Sequence, residues 1–324
     1  MNRFLDPHQL GTLRSRNRRR AVNRLFMVFC IAVAALSLVV LAVLLISILS
    51  DGHHHLDGEF LQNANSRKPE NAGIWPAMVG SILVCGVCAL MAIPLGVGTA
   101  ILLEEFQPKR KWSRKLHAFV QLNITNLAGV PSVVYGILGL TVFVDMFGLF
   151  GTYQAPSLEL GDPSTWFYLR LPLGAGVLAG GLTLGLVVLP VVIVSTQEAL
   201  RAVPDSLRQG ALALGASPWQ TVWSTTLPAA IPGIMTGVIL SMSRAIGEAA
   251  PILIVSGIAF IDYTPNHLMD DFTVMPLQIY NWAGDHREEY HRVAATGIIV
   301  LLSILLMFNA VAIYLRQKYQ RPLK

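Results

Sequence analysis

Charge is scarce in this 324-residue sequence: Asp, Glu, Lys and Arg make up only 13% of it, about half the share of an ordinary soluble domain. A soluble enzyme or a nucleic-acid-binding module needs a charged, hydrated exterior, so both classes are excluded. Cysteine is nearly absent, with only Cys30, Cys85 and Cys88, which excludes a secreted disulfide scaffold. Cys85 and Cys88 form a C-x-x-C inside an apolar run. There i and i+3 share one helix face, and cysteine serves as a small packing residue. No G-x-x-x-x-G-K-[ST] phosphate loop, H-E-x-x-H, zinc-ligand spacing or G-x-S-x-G occurs, and no internal repeat is visible. If ATP drives any process here, another chain must hydrolyse it.

What the sequence has in abundance is apolar length. Some 53% of residues are hydrophobic, and residues 25–50 and 76–103 run for 26 and 28 positions without a charge. A helix rising 1.5 Å per residue needs about 20 residues to cross a hydrocarbon core of roughly 30 Å. Six stretches qualify as spans: 25–50, 76–103, 119–144, 171–196, 228–261 and 293–315. The expected fold is therefore all-α, a polytopic membrane protein with six transmembrane helices. The first run is about twice too long for a secretory h-region and lacks a small-x-small cleavage site, so it reads as a retained anchor.

The basic residues set an orientation. Eighteen Lys and Arg, with five acids, fall in the N-terminal tail (1–24), the loop after span two, the loop after span four and the C-terminal tail (316–324). The opposite loops carry five basic residues and 13 acids. The positive-inside rule then places both termini in the cytoplasm. On the outer side, His53, His54 and His55 read as a solvated loop, since three adjacent residues converge poorly on one ion. Asp270, Asp271, Glu288 and Glu289 read as a solvated acidic rim.

The most structured loop is 197–228. Pro204 ends one helix, and Asp205 or Ser206 is placed to cap the next. Gly210, Ala211 and Ala213 keep that second helix slim, and Gly215 stops it. Ser217, Pro218 and Gln220 then form a capping box, followed by Trp219 and Trp223 at i, i+4. Two short helices joined at a glycine make a compact cytoplasmic knob. By pattern alone this is either a docking surface or an interfacial hairpin with tryptophans at the headgroup level.

The segment resembles the cytoplasmic loop of permease subunits of ATP-binding-cassette importers, which reads E-A-A, three residues, G, nine residues, I-x-L-P. Gln209, Gly210 and Ala211 occupy the E-A-A positions and Gly215 the glycine; Thr225, Leu227 and Pro228 close the motif. Gln209 departs from the family's acid, Gly210 from its alanine and Thr225 from its isoleucine. The resemblance implies that this loop inserts into a cleft on a separate ATPase subunit.

Span five holds the only charged pair inside an apolar run, Arg244 and Glu248, in Ser-Arg-Ala-Ile-Gly-Glu-Ala-Ala-Pro. Each charge costs on the order of 2.5–3.5 kcal/mol at mid-span, and the i, i+4 spacing lets them neutralise each other. One reading is an interhelical salt bridge. The other is a solute pathway, where an arginine fork suits two oxygens of an anion. Gly247 lies within the pair and Pro251 three residues after it, which predicts a local helix break.

The run R-A-I-G-E-A-A-P-I looks like the R-A-I-G-E-T-A-P-L signature of PstA-like phosphate-importer permeases, differing at Ala249 and Ile252. A second segment, G-V-P-S-V-V-Y-G-I-L-G-L at 129–140, is similar to one in both phosphate permeases. The resemblance covers about 70–315 and implies a type I importer permease core within the binding-protein-dependent transport inner-membrane component family. It further implies a homologous second permease, two ATP-binding subunits holding ATP and magnesium, and an extracytoplasmic phosphate-binding protein, all at a bacterial inner membrane. This chain itself would carry no cofactor, no catalytic or metal site and no nucleic-acid partner; membrane lipid surrounds it. Arg244 and Glu248 are the expected pathway residues, and Gln209, Gly210, Ala211 and Gly215 the coupling residues. The alternatives are a permease for sulfate, molybdate or another oxyanion, the sister phosphate permease, an ATP-independent carrier or channel, and a membrane scaffold.

Overall fold

The computed structural model describes residues 7–106, 108, 110–152, 155–156, 158–162, 168–256 and 260–319. The basic residues Arg3, Lys109, Arg321 and Lys324, and positions 257–259 at the end of the expected fifth span, lie outside the described residues. The long helices are α1 (Pro7–Gly52), α3 (Trp75–Glu105), α6 (Val177–Arg201), α9 (Leu227–Gly247) and α12 (Glu288–Tyr319). Shorter ones are α2 (Gly58–Gln62), α4 (Lys111–Leu127), α5 (Ser132–Gly139), α7 (Asp205–Ala213), α8 (Pro218–Thr221), α10 (Ala250–Ser256) and α11 (Met275–Ala283). Two wide single turns, Leu140–Val144 and Val222–Thr226, extend α5 and join α8 to α9.

Among the described residues five helices, counting α8 to α9 as one, are long and apolar enough to span a bilayer, and the bent α4–α5 pair makes a sixth if it crosses as one unit. The expected third span at 119–144 is thus not a straight helix: its two arms meet at 109°. The cause lies in Gly129-Val130-Pro131. Proline lacks an N–H and pushes the residue before it away from helical geometry, and Pro131 becomes the N-cap of α5. The Tyr135 hydroxyl donates to the Leu127 carbonyl at 2.8 Å, satisfying an open end of α4 across the bend.

Two other boundaries move. The fourth span starts at Val177 rather than 171, because Leu169–Leu171 pairs as a strand with Leu158–Leu160. Together with the Gly151–Thr152 and Ala155–Pro156 pair, this loop is the small β exception to an otherwise helical chain among the described residues. The fifth span breaks after Gly247, as its glycine and proline predict.

The core is built by α3, α6 and α9, with α10 and the segment before α11 closing one end. Val84, Cys88, Ala92, Val177, Leu184, Val188, Val192, Met242 and Phe272 are among its buried members. Cys88 is fully buried there and Cys85 packs against the same cluster, so the C-x-x-C serves packing. Polar side chains tie the helices where water is absent. Gln121 on α4 and Gln197 on α6 exchange reciprocal amide bonds at 3.0 and 2.8 Å, and His117 reaches the Leu103 carbonyl at 2.8 Å. By contrast α1 stands outside this core. The Thr296 hydroxyl of α12 donates to the Gly52 carbonyl at 2.8 Å, but the spanning stretch of α1 is wholly unburied.

Candidate functional site

The two segments that carried the sequence resemblance meet in space. The 129–140 segment forms the α4–α5 bend and α5 itself, while 243–252 forms the end of α9, its break and the start of α10. α5 packs along α10, and Gly136 lies so close to the Pro251 backbone that an added Cβ would sit 3.0 Å from it. Glu248 leaves helical geometry at φ −81°, ψ 116°, and its N–H donates to the Ala245 carbonyl at 3.2 Å. Irregular backbone at membrane depth persists only where protein covers it or a water-filled path runs past it.

Arg244 and Glu248 straddle this break. The Arg244 Nε donates to Glu248 Oε1 at 3.3 Å, from the last turn of α9 to the residue that ends it. The expected interhelical bridge is absent for this pair among the described contacts. Instead the Arg244 side chain is 63% exposed on the subunit surface, whereas Glu248 is 18% exposed. Around them lie Val187, Val188 and Val191 of α6 with Ser241 and Ala245. The space there is only about 10 Å³, smaller than any anion needs. The pair therefore presents an exposed guanidinium on the subunit surface, backed by a mostly covered carboxylate.

The knob matches its sequence grammar with one correction. α7 begins at Asp205, its N-cap is Pro204, and neither Asp205 nor Ser206 caps it. Asp205 instead accepts from Arg208 at 3.0 Å. Gly215 has φ +87°, a left-handed conformation that favours glycine. The Gly215 N–H donates to Leu212 O at 3.0 Å and the Ala216 N–H to Ala211 O at 3.1 Å, a complete Schellman stop. Ser217 and Gln220 form the reciprocal capping box that starts α8. Gln209, Gly210 and Gly215 are exposed, and Ala211 is half-buried. Leu214 at the corner is 91% exposed, an apolar side chain with no cover in this subunit.

Trp219 and Trp223 do not simply lie side by side at an interface. Their rings are 5.5 Å apart, Phe106 at the end of α3 joins them at 5.7 Å from Trp219, and together they wall an apolar groove against α3.

Several residues that the sequence did not single out hold this region. Arg208 bonds Glu105 of α3, 103 positions away, and hydrogen bonding to Glu105 pushes its guanidinium pKa up. Arg201 bridges to Glu104 at 2.9 Å. Ser243 pairs with Asn309 of α12, and Arg316 Nη1 donates to the Thr236 hydroxyl at 2.9 Å. The adjacent acids Glu104 and Glu105 on a basic face were the one available signal. In the loop before α11, Asp270 is more than a solvated acid. It accepts the Asn266 and His267 N–H groups at 2.7 and 3.1 Å and organises its loop.

Residues 92–320 match the family described as the binding-protein-dependent transport system inner membrane component. A probable ABC transporter permease protein of Bacillus subtilis, YqgH, is 36% identical over 202 residues, 61% of this chain and 58% of that one. A phosphate transport system permease protein, PstA 1 of Mycobacterium tuberculosis, is 29% identical over 81% of this chain and 78% of that one. PstC of Pasteurella multocida is 32% identical over 65% and 64%. Thus the chain spans less than two thirds of two of these relatives. Among solved structures, a chain of a bacterial alginate ABC transporter superposes with a TM-score of 0.62 over 90% of this chain and 94% of that one, at 15% identity, which speaks for the fold alone. With 229 of 324 positions inside the family match and its apolar helices, the chain belongs to the binding-protein-dependent transport system inner membrane component family and is a multi-pass inner-membrane protein.

Proposed function

We propose that the chain is the transmembrane permease subunit of an ATP-driven importer of inorganic phosphate, forming half of the translocation path. The observation that carries this reading is the charged break in α9–α10: an exposed Arg244, backed by Glu248, at a helix interruption braced by the α5 motif. An arginine there stays protonated and offers a planar fork to two oxygens of an anion, and its open side is where a homologous second permease would complete the wall. Relatives named as phosphate permeases support the choice of anion.

In this reading Gln209, Gly210, Ala211, Gly215 and the exposed Leu214 enter a cleft of an ATPase subunit. ATP and magnesium are held there, and this chain performs no covalent step. Closure of two such ATPases moves the knobs, and the spans alternate access to Arg244. A phosphate-binding protein delivers the anion on the outer face, where Asn65, Arg67, Gln278 and Arg287 line a polar depression of about 390 Å³. Both termini lie in the cytoplasm. The basic tails, the first anchor at 25–50 and the permease core at 70–315 are separate functional parts.

The similarity to a PstC protein favours a second reading, the sister permease of the same importer. Labelled phosphate and labelled sulfate uptake in strains lacking one or the other phosphate permease tests both. The expected result is phosphate uptake restored in the strain lacking the PstA-type subunit. Rescue only of the other strain supports the sister reading, and sulfate uptake alone sinks the phosphate assignment. An ATP-independent carrier would purify without an ATPase.

A further inference from the structure

We infer that Arg208 and Glu105 form a mechanical staple through which the coupling knob pulls on α3 and α6. The inference rests on the coupling reading proposed above and makes Arg208 a positioning residue for transport.

Arg208 stands beside the exposed Gln209, yet its own side chain turns into the chain and is 19% exposed. Its five N–H donors all have acceptors, on three different elements. Nη2 donates to Glu105 Oε1 at 2.8 Å and Nε to Oε2 at 3.4 Å, a two-pronged grip on the last residue of α3. Nη2 also donates to the Leu200 carbonyl at 2.7 Å, in the last turn of α6, and Nη1 to the Val203 carbonyl at 2.8 Å, two residues beyond its end. The Leu200 carbonyl also accepts the Val203 N–H at 3.2 Å, so Arg208 reinforces the turn that closes α6. The remaining Nη1 bond, to Asp205 at 3.0 Å, stays within α7.

Glu105 is 8% exposed, so its charge is largely removed from water and depends on this one cation. Glu104 beside it is held by Arg201 at 2.9 Å, which ties the same end of α3 to the end of α6. The knob therefore cannot shift against α3 and α6 without breaking a nearly buried charge pair and the bonds from Arg208 to the Leu200 and Val203 carbonyls. The opposite side of α6 presents Val187, Val188 and Val191 to Arg244 and Glu248. A displacement of the knob has a short, packed route to the charged break.

The test uses the whole importer, with its ATPase subunits and binding protein, in proteoliposomes. Three quantities are read: ATPase subunit retained, ATP hydrolysed, and phosphate taken up per ATP. Arg208→Gln and Glu105→Gln should retain the ATPase while uptake per ATP falls by about 5- to 150-fold, the range of a typical coupling free energy. Arg208→Lys keeps a charge but not the fork, and its ratio should fall nearly as far. A Glu105→Cys/Arg208→Cys chain, with Cys30, Cys85 and Cys88 replaced by alanine, separates linkage from folding. Closing that pair with a short bifunctional thiol reagent should restore most of the lost ratio.

Wild-type uptake per ATP in Arg208→Gln or Arg208→Lys overturns the staple, as does a cross-linked pair that remains uncoupled. If the variants lose the ATPase in proportion to uptake, Arg208 belongs to the docking surface and the inference fails alone. A wild-type chain that retains no ATPase overturns the coupling reading, and the staple with it.

Discussion

Replacing Arg244 and Glu248 by glutamine, singly and together, separates a structural pair from a transport site, because the geometry makes the structural contribution small. The two side chains meet at 3.3 Å, four positions apart at the end of α9, and Arg244 is 63% exposed. Exposed i, i+4 pairs contribute about 0.3–0.5 kcal/mol. The double Gln variant should therefore fold and assemble within about 1 kcal/mol of wild type. Of the single changes, Arg244→Gln should be the more destabilising, since it leaves Glu248, at 18% exposure, without its cation. Glu248→Gln leaves only a solvated guanidinium and should be nearly silent in a melt. Transport should follow a different order. A charge-assisted hydrogen bond is worth about 1.5–3 kcal/mol, so losing it from the anion slows uptake by about 10- to 150-fold. Arg244→Gln and the double variant should both show that loss, with Glu248→Gln retaining most uptake. Thermal melts in detergent and labelled-phosphate uptake in vesicles supply the two readouts. A stable double variant with wild-type uptake would refute the reasoning, since no cation then remains at the break.

The positive φ of Gly215 predicts a graded series. With nothing within 4 Å of an added Cβ, Gly215→Ala pays only the backbone penalty of about 1–2 kcal/mol. Gly215→Asn should be milder, and Gly215→Asp should lose ATPase retention through its added charge while remaining in the membrane. Gly139→Ala tests packing, because its Cβ would land inside the fully buried Thr183 side chain. A loss of about 1–3 kcal/mol or more is expected in detergent melts, against no change for Gly86→Ala, which meets open space. Topology reporters should be silent near Lys111 and Lys318 and active near Glu59, Glu159 and Asp271. Silence at Glu159 would show that the bent α4–α5 pair turns back without crossing.

Local rules sufficed for much of this molecule. Apolar length alone marked the long helices, since a span needs only about 20 uncharged residues and satisfies its own backbone. The knob was equally legible: Ser217, Pro218, Gln220 and Gly215 act on backbone groups within four residues of themselves. The break beside Gly247 and Pro251 belongs to the same class. What the sequence left open depends on contacts between distant residues. The 109° bend needed Tyr135 to close on Leu127, and α5 to find α10, before Gly129 and Pro131 became a corner rather than a kink. Arg244 had a second reading as a bridge to another helix until packing left it facing outward. Arg208 was one basic residue among 18 on its side of the membrane. Only the fold carried Glu105 to it across 103 positions, because a charge pair is set by where two helix ends arrive, and no local pattern encodes that meeting.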